Sequence, residues 1–287
     1  MTRTLVAGID LTAMGRRVAD RARILAEEGG GVVTLIHVLE PLSEAMIDPG
    51  LARLVRDHQT AEAEKTADWV AGRGSADVSL QVVKGSPAWE LASRAKKADL
   101  IVLGSSTVDA FTAGPTTRRV AQMATSDVLV VRRQPRVPYR KIIAAVDFSE
   151  PSRMAVERAL EIGAGAGAEV TVLYSLPSKF DPLLAEAGLF REEMDASRGE
   201  RLEIAKDRML EFTQAWNGQI RTLVTDGPPA ETIDEAVRRR GADLVVVGSR
   251  GATATRMVLL GSVAYGLIAQ APCDVLIARS PSDFRRP

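Results

Sequence analysis

The chain repeats itself, and that repeat constrains its fold more than any other feature. Residues 4–10 (TLVAGID) return as residues 141–147 (KIIAAVD), each a short apolar run rich in β-branched residues that ends in Asp. Each run precedes a helical stretch, about residues 13–28 and 151–163, and then a second apolar run, residues 32–39 and 170–176. Further on, QVVKGSP (81–87) and TLVTDGPP (222–229) each leave a strand pattern through Gly and Pro, and Pro suits the first turn of a helix. ADLIVLG (98–104) then matches ADLVVVG (242–248), and residues 127–131 match residues 274–278. Continuous apolar strands alternating with helices belong to parallel sheets covered on both faces. The expected architecture is therefore α/β, with two tandem doubly wound domains, each a five-stranded parallel Rossmann-like sheet with right-handed crossovers.

A length of 287 residues agrees with two domains of roughly 100–200 residues each. RRQPRVPYR (132–140) reads as a short extended linker, which puts the boundary near Pro138 and the domains at 1–135 and 139–282. The longest crossovers, about residues 40–76 and 177–218, each mix a loop with an amphipathic helix. Within the second, SKFDPLL (178–184) reads as a cover over a ligand, over another subunit or over its own core. Thirty-seven Lys and Arg balance thirty-seven Asp and Glu, leaving none of the basic excess that nucleic-acid or anionic-membrane binding requires. Neither partner is expected. One cysteine, Cys273, excludes an intrachain disulfide or a multi-cysteine metal site and fits a buried thiol in a reducing compartment. The first residues carry no apolar core before a cleavage site, and no run approaches the roughly 20 apolar residues of a membrane span. The expected location is cytoplasmic.

In open parallel sheets, ligands bind beyond the carboxyl ends of the strands, where backbone N–H groups and helix N-termini converge. The fourth strand of the second half ends in Gly248-Ser249-Arg250-Gly251, and nine residues later Gly261-Ser262-Val263 opens a helix. Glycines there let the backbone approach an anion, Ser262 adds a hydroxyl, and the helix start adds N–H groups and its dipole. Taken alone, two glycines at this spacing describe turns as well as they describe a phosphate cradle. The first half departs from the pattern: Gly104-Ser105-Ser106-Thr107 lacks the second glycine, the following loop is three residues shorter, and Gly114-Pro115 stands in place of Gly261-Ser262. Proline brings neither hydroxyl nor N–H, so two phosphate contacts vanish together. Asp10 and the His37-Val38 strand end remain. His37, without a partner nucleophile or metal cluster, reads as a strand-end histidine packed or hydrogen-bonded in place.

Other patterns fail their context. GAGAG (163–167) follows a helix and precedes a strand, so it is a helix stop rather than a dinucleotide fingerprint. No P-loop occurs, His58 and Trp69 lie on a helix without ligand spacing, and Arg238-Arg239-Arg240 ends a helix where cations suit the dipole.

With these residues in view, residues 140–278 resemble the universal stress protein domain, in particular its ATP-binding branch. That branch's pattern, Gly, two residues, Gly, nine residues, then Gly and Ser or Thr, is met by Gly248, Gly251, Gly261 and Ser262. AVDFS (145–149) resembles the family's first-strand ending, and DGPPAE (226–231) its turn into the third helix. The resemblance covers nearly the whole chain and implies an adenine nucleotide alpha hydrolase-like fold in both halves. It implies that Asp147 lies beside the ribose or adenine, Ala145 and Val146 line the base pocket, and the backbone of Ser175 meets the adenine edge. Val247 would pack on the base or ribose, Gly248 and Gly251 would approach the phosphates, and Gly261, Ser262 and Val263 would hold them. Arg250 either offsets the triphosphate or is a solvated loop charge. The implied ligand is one ATP per chain, with Mg2+, turned over slowly if at all, in a stress-related regulatory role. Pairing of the edge strands 128–131 and 275–278 would make an intramolecular pseudo-dimer, and chains would dimerise further. The residues leave open a nucleotide-independent interaction module with a vestigial pocket. An adenylating or pyrophosphatase enzyme ranks last, since no base, activated nucleophile or metal cluster stands out.

Overall fold

Strands and helices alternate where the apolar runs dictate. The computed structural model describes residues 3–41, 48–105, 113–135, 137–176, 191–251 and 260–280, the side chains of 191–197 excepted. The segment 178–184, read above as a cover, lies outside the described residues. The first half runs β1 (Thr4–Ile9), α1 (Ala13–Gly29), β2 (Val32–Leu39), α2 (Pro49–Ala71), β3 (Asp77–Lys84), α3 (Pro87–Ala95), β4 (Leu100–Gly104), α4 (Pro115–Met123) and β5 (Asp127–Val131). The second runs β6 (Lys141–Val146), α5 (Glu150–Ala164), β7 (Glu169–Leu176), α6 (Arg191–Thr213), β8 (Arg221–Asp226), α7 (Pro229–Arg240), β9 (Leu244–Gly248), α8 (Ser262–Gln270) and β10 (Asp274–Ala278). Five of the helices, α2, α3, α4, α5 and α7, carry Pro in their first turn, where its missing N–H costs no helical bond.

All ten strands form one sheet, in the order β3-β2-β1-β4-β5-β10-β9-β6-β7-β8. Within each half every pairing is parallel, for example Ile9↔His37 and Ala145↔Val247. The halves meet where β5 and β10 pair antiparallel, with Leu129 opposite Leu276. The sheet is thus continuous and mixed rather than two separate five-stranded sheets, because two short, wholly buried edge strands satisfy each other's open hydrogen-bonding groups. Alternate residues feed opposite faces. One face packs Leu5, Leu35, Ile142 and Val246 under α1, α2, α5 and α6; the other packs Ile101, Val128, Val245 and Ile277 under α3, α4, α7 and α8. His58 and Trp69 both sit on α2, where Trp69 packs half-buried on the core and lies under the guanidinium of Arg73 at 4.7 Å. No helix among the described residues is long and apolar enough to cross a membrane.

The seam between the halves is built by a reciprocal exchange of arginines and aspartates. Arg158 follows Arg21 at the spacing that separates Asp147 from Asp10, and each arginine reaches the aspartate that opens the other half's edge strand. Arg21 Nε lies 3.6 Å from Asp274, and Arg158 Nε donates to Asp127 at 2.7 Å. The N–H of Arg132 donates to Asp274 at 2.8 Å, and that of Arg279 to Asp127 at 2.8 Å. The two guanidiniums cross over as well: Arg132 donates to Ile268 O near the end of α8, and Arg279 donates to Ala121 O near the end of α4. Cations at helix C-termini suit the dipole there. Burial pushes the carboxyls of Asp127 and Asp274 up, against the pull of the donors around them.

Cys273, fully buried beside Asp274, has its thiol pushed up to about 12, chiefly by burial and further by the Asp274 carboxylate. The thiolate is the reactive form. Iodoacetamide at neutral pH is therefore expected to leave Cys273 unmodified in the folded chain and to alkylate it in urea. Intact-mass spectrometry reads the difference, and fast labelling of the folded chain would contradict the burial.

Candidate functional site

In each half the chain runs from its first strand outward on one side, then crosses to the other. β1 therefore lies between β2 and β4, and β6 between β7 and β9. The crevices at the carboxyl ends of β1/β4 and β6/β9 are the switch points at which such sheets take ligands.

At the second crevice, three segments converge. β6 ends in Ala145 and Val146, both buried, and delivers the half-buried Asp147. Oδ1 of Asp147 accepts from the N–H of Ser149 at 3.1 Å and from its hydroxyl, which fixes the carboxylate at the mouth of the strand. β9 delivers Val247 and Gly248, then Ser249, the half-buried Arg250 and the exposed Gly251. A Cβ on Gly251 would stand 2.8 Å from Asp147 Oδ2, and one on Gly248 would stand 2.8 Å from the backbone of Pro151 at the start of α5. Close approach to backbone requires the glycine at 248, whereas a side chain at 251 would meet only the Asp147 carboxylate. The third segment is the start of α8. The Gly261 N–H donates to Ser249 O at 2.8 Å and so ties the helix start to the end of β9. Gly261 caps the helix without a side chain, Ser262 is exposed, and Val263 rests on the core below. The first N–H groups of a helix have no partner within it, so α8 opens toward this corner with donors and a positive dipole end. Residues 252–259, between the two glycine segments, lie outside the described residues.

The other expected site residues contribute differently. Ser175 lies one residue past the last β6–β7 partner, Tyr174, so its backbone on the β6 side faces the crevice. Its hydroxyl is committed inward, donating to Gly227 O at 2.7 Å and accepting from Thr232 Oγ1 at 2.9 Å. Val247 is 3% exposed and packs with Ala145 in the core. Phe148 was missed by sequence reasoning. It is the one non-glycine residue with positive φ among the described residues, at 65°, a conformation costing about 1–2 kcal/mol. An aromatic stack holds it there, with Tyr174 at 4.4 Å and Phe212 at 5.5 Å between ring centres and Arg208 above its ring at 4.7 Å. Burial pushes the Tyr174 hydroxyl up, and the Asp147 carboxylate adds to this. The sequence signal was the aromatic side chain directly after the strand-ending Asp, where the first half has Leu11.

The first crevice holds a cavity of about 580 Å³. Asp10, His37, Glu40, Gln59 and Ser105 give it polar groups, Leu11, Met14, Leu91 and Leu103 give it apolar wall, and Gly114-Pro115-Thr116-Thr117 close one end. Thr117 Oγ1 donates to Gly104 O at 2.7 Å, so its hydroxyl turns back onto β4. His37 is hydrogen-bonded in place as expected, with Nδ1 3.2 Å from Ile9 O. Its Nε2 is buried and has no partner. Among the described residues, no group of three or more His, Cys, Asp or Glu could hold a metal ion.

Comparison with known proteins agrees with the repeat. The family model described as the universal stress protein family matches the chain twice, over residues 1–132 and 138–279. A universal stress protein of Methanocaldococcus jannaschii is 34% identical over 146 residues, covering 50% of this chain and 84% of that protein. One from Bacillus subtilis is 27% identical over 151 residues, covering 49% of this chain and 99% of that protein. Each of these relatives corresponds to half of this chain. Over the full length, the crystal structure of a universal stress protein from Archaeoglobus fulgidus superposes with a TM-score of 0.71 at 17% identity, covering 98% of this chain and 97% of that one. At that identity the likeness speaks to the fold.

Proposed function

Because the chain belongs to the universal stress protein family, we propose that its second half, a domain at 139–282, binds ATP in the β6/β9 crevice. Residues 1–135 are then a companion domain whose own crevice no longer holds a triphosphate. The observation that supports this most is the meeting of Asp147, Gly251 and the Gly261-Ser262 helix start in one corner. Ala145 and Val146 line the base, Asp147 takes ribose hydroxyls, the Ser175 backbone meets the adenine edge, and Val247 supports the base from below. Gly248 and Gly251 let the phosphates approach, Arg250 offsets their charge, and Ser262 and Val263 donate to them at the helix start. Mg2+ would be held chiefly by phosphate oxygens and water, with Asp147 as the one carboxylate at hand.

The role that follows is regulatory, in stress, with nucleotide occupancy tied to assembly. α8 opens at the phosphate corner, and near its far end Arg132 of the other half donates to the Ile268 carbonyl, so one helix spans the site and the seam. The antiparallel β5–β10 pair makes the chain an intramolecular pseudo-dimer in this reading, and a homodimer of chains would have to use another surface. A buried, protonated thiol suits a reducing cytoplasm.

Native mass spectrometry of the purified chain, followed by calorimetric titration with ATP and Mg2+, tests this. One ATP per chain is the expected stoichiometry. Two would mean that the first crevice also holds a triphosphate; none, in a folded protein, would favour the nucleotide-independent interaction module.

A further inference from the structure

We propose that two copies of the chain pair face to face through α3, α4, α7 and α8, with Trp89 of each copy seated in a groove between α7 and α8 of the other. These four helices cover one face of the sheet, and three exposed large apolar side chains lie on them: Trp89, 62% exposed, Met123 and Tyr265. Trp, Tyr, Met and Arg are the residue types that interfaces concentrate. The groove, about 230 Å³, is lined by Glu231, Asp234 and Arg238 of α7 and by Gly266, Leu267 and Gln270 of α8. A Cβ on Gly266 would meet nothing within 4 Å, although glycine inside a helix destabilises it relative to alanine. No described residue fills the room that it leaves.

The repeat places the protrusion and the groove at equivalent sites. α3 and α7 both begin with Pro, so Trp89, the third residue of α3, corresponds to Glu231 of α7. α4 and α8 have 9 residues each, so Arg119 and Met123 correspond to Gly266 and Gln270. The first half thus presents bulk where the second presents a depression. The two-fold that sets Leu129 opposite Leu276 emerges on this face between Arg118 and Tyr265, equivalent residues of α4 and α8, where Arg118 donates to the Tyr265 hydroxyl at 3.3 Å. A second copy, turned over about an axis in the plane of the face and along the strands, lays its second half on the first half of its partner. Both tryptophans then meet grooves at once, and such an isologous contact closes at two copies. Charge agrees with this arrangement. It sets α3 antiparallel to α7 of the other copy, which brings the exposed Lys96 and Lys97 at the end of α3 to Glu231 and Asp234 near the start of α7. Four helices of 9 to 12 residues, about 10 Å apart, cover roughly 600 Å². That is the scale of a specific interface, about 800 Å² per partner.

The pairing stands apart from ATP binding, and sedimentation equilibrium of the full chain without nucleotide tests it; a chain that binds no ATP would give the same masses. The parent is expected at twice the mass of one chain. Trp89→Glu and Gly266→Arg each give one half the residue that the other half carries, and either change removes both contacts of the dimer. Each variant should therefore be a monomer, with its dissociation constant raised about a thousandfold, about thirtyfold for each buried tryptophan lost. Mixing the two variants restores one contact, the Trp89 of the Gly266→Arg chain in the groove of the Trp89→Glu chain. A heterodimer about thirtyfold weaker than the parent dimer should return, a rescue that loss of folding cannot produce. Trp89 is exposed, so Trp89→Glu carries the test alone if Gly266→Arg does not fold. The inference is overturned by a parent that stays monomeric throughout the measured range, or by a Trp89→Glu chain that remains a dimer. Assemblies larger than two copies, or folded variants that do not pair when mixed, overturn it equally.

Discussion

Replacing Asp274 with alanine is expected to lower the stability of the chain by about 3–5 kcal/mol, the range for stripping one partner from a buried, hydrogen-bonded ion pair. Asp274 is fully buried at the start of β10, and four donors converge on it. Oδ1 accepts from the N–H groups of Arg132 at 2.8 Å and Arg133 at 3.1 Å; Oδ2 accepts from the Tyr139 hydroxyl at 2.6 Å and faces Arg21 Nε at 3.6 Å. Without the carboxylate, Arg21 is a buried cation left with the Val137 carbonyl at 3.1 Å, the Tyr139 ring at 4.0 Å and the Glu28 carboxylate, which attracts it without a hydrogen bond. The linker would also lose its anchor, since Tyr139 sits just before β6 and holds the second half against α1 of the first.

The repeat supplies an internal control. Asp127 occupies the same place at the start of β5, accepting from Arg279 N and Arg158 Nε. Its arginine is more exposed, with 29% of the side chain accessible, and has a second carboxylate in Glu161. Asp127→Ala should therefore cost less, about 1–2 kcal/mol, because Arg158 keeps a partner and water. Asp274→Asn should fall between the two alanine variants, since the amide oxygen still accepts from the two N–H groups and the charge that burial disfavours is gone. Because the folded chain holds both carboxyls above their unfolded values, their contribution to stability is full below the unfolded pKa, about 3.9, and is lost as pH rises through the folded value. Asp274→Asn should flatten that part of the profile. Urea unfolding followed by circular dichroism reads all three variants, and equal losses for Asp274→Ala and Asp127→Ala would contradict the account of Arg21.

The strands were legible in the sequence because each is a continuous apolar run between turn signals, and parallel strands covered on both faces need nothing subtler. β2, for one, falls on residues 32–39 as the pattern requires. The convergence of Gly251 on Asp147 was legible only through family spacing, since no local pattern says that loops a hundred residues apart will touch. The seam was written in the repeat but not read there. Arg21 and Arg158, Asp127 and Asp274, and Arg132 and Arg279 are three pairs at repeat-equivalent positions, yet each alone looks like an ordinary surface charge. Charged residues that recur at equivalent positions in strand-flanking segments are the signal to seek. The first-half cavity was illegible for another reason. The sequence reports what Pro115 removes, whereas the unsatisfied Nε2 of His37 appears only when β1 and β2 are paired and Nδ1 has found Ile9 O.

Gly261→Pro is expected to weaken ATP binding by about a hundredfold, the effect of losing two hydrogen-bonding contributions of about 1–1.5 kcal/mol each. The substitution sets a proline at the cap of α8, one residue before the position that Pro115 holds at the start of α4. Gly261 has φ −66°, so proline meets no backbone strain, and a Cβ there would lie 3.4 Å from its nearest neighbour, Arg250 Cα. What proline removes is the N–H that reaches Ser249 O at 2.8 Å, and its ring carbon stands where that hydrogen stood. Ser249 and Arg250 must then move away from the start of α8, which parts the two glycine segments and carries the Ser262 hydroxyl and the first N–H groups out of register with Gly251. The helix itself survives, since Tyr265 N still donates to Gly261 O, so the cost in stability should be close to that of one hydrogen bond, about 1 kcal/mol. Gly251→Val makes the complementary test: it keeps every N–H but pushes a side chain into Asp147 Oδ2, and should weaken ATP without loosening α8. Calorimetry with ATP and Mg2+, beside a thermal melt of each variant, separates binding from folding. A Gly261→Pro chain that folds and binds ATP as the parent does would remove the helix start of α8 from the site and leave Asp147 and Gly251 to be explained by packing alone.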